Sequence, residues 1–136
     1  MNLQGSRKVL YLLGKGFVVE LTFTDRGLAL LCGDEAELMA FAGSDSEALE
    51  QLLFEIEAAA ILGHVEDLPY IELQRAPAGR ISAAGADDAG ILLEPATKPY
   101  RTAEAATVIA VAVGDHEFNP EGAAWPRASA TSQITR

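Results

Sequence analysis

Residues 17–24 read Phe-Val-Val-Glu-Leu-Thr-Phe-Thr, so Phe17, Val19, Leu21 and Phe23 fall on one side of an extended chain and Val18, Glu20, Thr22 and Thr24 on the other. Alternation of that kind is the mark of a half-buried strand. A β-competent run, residues 9–13, precedes it. Gly14-Lys15-Gly16 joins the two with glycines able to take positive φ, as a tight hairpin requires. Thr24-Asp25-Arg26-Gly27 has turn chemistry and leads into the apolar stretch Leu28 to Cys32, so the pattern predicts a three-stranded N-terminal meander. Residues 37–42 alternate loosely and are assigned to a fourth strand, although Glu, Leu, Met and Ala are equally good helix formers.

The period changes near Ser46. Ser44-Asp45-Ser46-Glu47 has the spacing of a capping box, with Ser46 or Asp45 suited to cap, and Leu49, Leu52, Leu53, Ile56 and Ala60 then fall on one helical stripe. Gly63 supplies a left-handed stop, so a helix is predicted over about 46–62. Beyond it, residues 70–74 read as a strand and Pro77-Ala78-Gly79 as a turn. Residues 80–83 and 91–94 form a hairpin across a polar Asp87-Asp88 tip, and residues 108–113, Val-Ile-Ala-Val-Ala-Val, form a fully buried strand. From Asn119 to Arg136 the chain is rich in Ala, Ser, Thr, Pro and Gly and has no periodicity. The expected fold is α+β: an antiparallel sheet begun by the meander, one main helix across it, and further C-terminal strands. Residues 1–118 are expected to form a single domain and 119–136 an extended tail.

Length and composition narrow this picture. A chain of 136 residues with 49% hydrophobic and 22% charged content is sized and composed for one folded core rather than for disorder. A lone cysteine, Cys32, cannot form an intrachain disulfide, no export signal is visible, and no apolar run is long enough to span a bilayer. The expectation is a cytoplasmic protein that does not engage a membrane.

Charge carries more information. Twenty acids face ten bases, for a net charge of −10, which disfavours nucleic acid as a partner. Between Gly27 and Gln74 stand 11 acids and no base, leaving 10 bases and 9 acids, or +1, elsewhere. On the helix, Phe54 and Ile61 define a second apolar stripe away from Leu49 and Leu53, with Glu50 and Glu57 beside it. An apolar stripe inside an anionic rim has the anatomy of a protein-binding surface. Trp125, followed by Arg127, lies in the tail, where a large aromatic anchors to a partner or docks back on its own domain.

The expected function is therefore non-catalytic: a binding or assembly subunit that engages a basic protein or another copy of itself through Phe54, Ile61, Glu50, Glu57, Trp125 and Arg127. The competing expectation is a small-molecule binder or enzyme, with His116 flanked by Asp115 and Glu117 as an acid-base group at a pocket. With only Cys32, His64 and His116 available as sulfur or nitrogen ligands, neither a metal nor a cofactor is expected.

Overall fold

The computed structural model describes residues 19–125. It is α+β, with six strands in one sheet: β1 (Glu20–Phe23), β2 (Glu72–Ala76), β3 (Arg80–Ala84), β4 (Gly90–Pro95), β5 (Ala105–Val113) and β6 (His116–Phe118). Four helices, α1 (Arg26–Gly33), α2 (Glu35–Ala42), α3 (Ser46–Ala58) and α4 (Leu62–Glu66), fill the chain between β1 and β2. The strand order is β1-β5-β4-β3-β2, and β6 continues the edge that β1 begins along β5.

The sheet is mixed rather than antiparallel. β1 runs parallel to β5, with Phe23 beside Val108, and the Thr22 and Thr107 hydroxyls meet at 2.9 Å; the other pairings are antiparallel. The predicted meander is also corrected. Its first strand, residues 9–13, and the hairpin glycines lie outside the described residues, while the second is β1, with Val19 and Leu21 buried as the alternation requires. The third is helix α1. The Asp25 carboxylate accepts from the Leu28 amide at 3.1 Å, so the supposed turn is a helix cap. Residues 37–42 are likewise helical, within α2, because Asp34 caps it by accepting from the amides of Ala36 and Glu37, and Glu35 and Glu37 sit at its positive end.

The main helix begins where predicted and ends four residues early, at Ala58, with Ala59 extended. The Asp45 side chain makes no cap hydrogen bond. Gly63 is no stop: it lies inside α4, where a Cβ would sit 2.8 Å from the Arg101 carbonyl oxygen. Its absent side chain lets α4 approach the 3-10 turn Tyr100–Thr102, a contact strengthened by the Leu62 amide donating to the Ala103 carbonyl at 3.0 Å.

The helices cover one face of the sheet. Leu28, Leu49, Leu53, Ile56, Leu62 and Val65 pack against Ile91, Leu93, Val108, Val111 and Val113, all buried. A register shift between Leu92 and Leu93 inserts Ile109 as an extra residue, so Ile109 and Ala110 both face the far side with Leu92. There Trp125 packs over them, and its indole Nε1 donates to Ser82 Oγ at 2.8 Å. Gly90 leaves room for the ring, since a Cβ there would lie 3.1 Å from it. The segment read as an extended tail with an anchoring aromatic thus lies along its own sheet as far as Trp125.

Candidate functional site

Two surfaces of opposite charge stand out. The first is the outer side of α2 and α3. From Asp34 to Ala58 the chain carries eight acids and no base. Seven of the eight keep solvent contact, and the exception is Glu57 at 5% exposure. Glu57 follows Leu53 by one helical turn and so shares its inward face; it does not belong to the rim where the sequence placed it. Glu50 is half-buried, and Phe54, one turn later, is 46% exposed. Gln51 donates to the Glu55 carboxylate at 2.7 Å, which holds that carboxylate on the same side. Burial first, and the neighbouring Glu55 second, raise the Tyr70 hydroxyl above its ordinary pKa, placing this exposed ring within the influence of the α3 carboxylates. Met39 on α2 is exposed as well, its sulfur 3.9 Å from the Ser46 hydroxyl at the start of α3.

Ile61 does not extend the Phe54 stripe. The helix has already ended, and Ile61 is an extended, half-buried residue ahead of α4. Trp125 faces away from the helices, on the far side of the sheet, and Arg127 lies outside the described residues.

His116, Asp115 and Glu117 are all exposed at β6. The His116 and Phe118 rings both lie near that of Phe41 on α2, with centroids 5.7 and 6.5 Å away, so they share the helical side of the sheet. Glu117, between them, points to the opposite side, where it accepts from the Asn119 amide at 3.3 Å. The three residues are adjacent in sequence and do not converge in space. Among the described residues no three of His, Cys, Asp and Glu come together as a metal-binding group.

The second surface is a cleft of about 560 Å³ at the end of the β2–β3 hairpin, bordered by the loop from Pro95 to Arg101 and by Glu66 of α4. Sequence reasoning missed it. Arg75, Arg80, Lys98 and Arg101 line it, four of only five Lys and Arg residues within 19–125, a stretch that holds all 20 acids. The signal was present as four bases between 75 and 101, but only the folding of the 95–101 loop against the end of the hairpin brings them to one cleft. Arg75 stands opposite Ile81 and Arg80 opposite Ala76, at the end of adjacent strands.

Glu66 organises one wall. It accepts from the Tyr100 hydroxyl at 2.7 Å and pairs with Arg101. The Tyr100 hydrogen bond is the largest influence on its carboxyl and, with the smaller contributions of Arg101 and Arg75, holds it below the ordinary value against the opposing effect of burial. The same hydrogen bond raises the Tyr100 hydroxyl, with burial adding to it. Arg101 also approaches Asp67 at 4.0 Å, and Arg80 meets Glu94 at 3.4 Å and Glu121 at 3.6 Å. Arg75 lies over the Tyr100 ring, 5.7 Å from its centroid, and Lys98 extends across Gly79, where its Nζ would stand 3.6 Å from a Cβ.

Comparison of the chain with protein-family models, with curated proteins and with solved structures finds no match. Among the described residues no helix is long and apolar enough to cross a membrane.

Proposed function

We propose that this protein is a non-catalytic binding or assembly subunit that presents the outer side of α2 and α3 to a basic protein partner. The observation that carries the proposal is the segregation of charge: seven solvent-reaching acids and no base over two adjacent helices. Phe54 supplies an apolar contact inside that rim, so a partner can exclude water there while its lysines and arginines meet Glu50, Glu47 and Glu55. A second copy of the chain would bring the same acids to a symmetric contact and be repelled, which favours a basic protein over self-association through this face.

The test is capture of basic proteins from extract of the native cell by the full chain, compared with Phe54→Asp and with Glu50→Lys/Glu55→Lys. Bound proteins are expected to be basic and to be released at 1 M salt, where the Debye length falls to ~3 Å, and both variants should lose them while keeping the parent melting temperature. Leu53→Asp, a charge placed at a fully buried position, should by contrast unfold the domain. Undiminished capture by both surface variants would overturn the proposal.

A further inference from the structure

We propose that the cleft between the β2–β3 hairpin and the 95–101 loop is a binding site for a small phosphorylated molecule, independent of the acidic helical face. Its lining gathers four cations, Arg75, Arg80, Lys98 and Arg101, in a protein of net charge −10. In a chain with twice as many acids as bases, every base has ample opportunity to pair. Arg80 and Arg101 do so, each with two carboxylates. Arg75 and Lys98 have no carboxylate within 4.0 Å among the described residues, and they stand in the same concavity.

The paired cations are oriented by their carboxylate partners, and the other two by contacts that do not occupy their N–H donors. The Tyr100 face receives the Arg75 guanidinium as a cation over a ring, which leaves the N–H donors at its edge for a ligand. Tyr100 is in turn fixed by Glu66 and by its place in the turn, where the Thr102 hydroxyl donates to the Pro99 carbonyl at 2.8 Å. Gly79 leaves the space that Lys98 crosses. A guanidinium fork and an ammonium converging on one cleft match a phosphate, which accepts several charge-assisted hydrogen bonds and carries about two negative charges. With Arg80 and Arg101 already met by carboxylates, the two remaining cations match the roughly two negative charges of a phosphate monoester or of one end of a diphosphate. The volume lies in the range of small-ligand pockets, about 300–1,000 Å³, and leaves room for the organic part of such a molecule.

Titration calorimetry of the full chain with inorganic pyrophosphate at 0.15 M salt tests this. Saturable one-to-one binding is expected, weakened at least tenfold in Arg75→Gln/Lys98→Gln and unchanged in Arg26→Gln, the one base of the described residues outside the cleft. Circular dichroism and an unaltered melting temperature without ligand establish that the double variant is folded. Absence of binding, equal binding by the double variant, or citrate bound as tightly as pyrophosphate would each overturn the assignment.

Discussion

Tyr100 and Glu66 form the contact on which the cleft wall depends, and their opposed shifts make it dependent on pH. The lowered carboxyl contributes stability above the unfolded value that is lost as pH falls through the folded one. The raised hydroxyl contributes below its unfolded value and loses that contribution as pH rises through the folded one. The contact is therefore complete between about pH 4.3 and about pH 10, the ordinary values of the two groups. In Tyr100→Phe the carboxyl keeps Arg101 but loses the hydrogen bond that chiefly lowers it, so NMR titration of the Glu66 side chain should show its midpoint moving up. An unmoved midpoint would mean that Arg101 alone sets it. Gly63 is the second position of leverage. Alanine normally favours a helix by up to ~1 kcal/mol over glycine, yet its Cβ would meet a backbone oxygen at 2.8 Å. Gly63→Ala should therefore destabilise the fold, by about 1–3 kcal/mol in denaturant unfolding, as overpacking does.

At the scale of elements, what could be read in advance was what has a decisive period or a decisive turn. The alternation around Leu21 identified β1, and the Leu49–Leu53–Ile56 stripe identified α3. The β-branched run 108–113 identified β5, and the turns at Pro77-Ala78-Gly79 and Asp87-Asp88 identified the hairpins. α1 was misread because five consecutive apolar residues have no period, and length alone does not separate a buried strand from a short helix. The signals that decide it are Asp25 and Asp34, aspartates directly ahead of each helix, whose chemistry serves turns and caps alike. The parallel pairing of β1 with β5 left no local trace. The candidate residues on α3 divided along the same line: Phe54, off the Leu49–Leu53 stripe, is exposed, whereas Glu57 was assigned by its charge although its spacing from Leu53 put it inside. The segment ending in Trp125 was read as a tail because a strap held by one aromatic needs no periodicity. Since this single tryptophan covers Leu92, Ile109 and Ala110, its emission should be blue-shifted from that of hydrated indole. Trp125→Ala should cost about 2 kcal/mol, less than for a fully buried aromatic because the ring is only partly enclosed. An emission maximum of free indole would show the strap to be undocked.

Across the whole molecule, charge is sorted by element rather than mixed. The acids of α2 and α3 stand in a stretch of sequence that holds no base, while four of the described bases border one cleft at the end of the sheet. Such a molecule has a strong field of each sign, so salt should weaken encounters at either surface. The connectivity that separates the two surfaces also governs time. β5 is held on one side by β4 and on the other by β1 and β6, and its partner β1 stands 85 residues earlier at the Thr22–Thr107 contact. Closing so long a loop must precede the reward of the pairing, which places the fold among slow, non-local topologies rather than among helical bundles. While the chain is being synthesised, the four helices emerge long before β5, whose Val108, Val111 and Val113 they are to cover, and β1 waits for its β5 partner until residues 105–108 have left the ribosome. The apolar faces of α1 and α3 are thus exposed for most of the synthesis of the domain, and that interval, more than the finished structure, is when this protein is open to aggregation or in need of a chaperone.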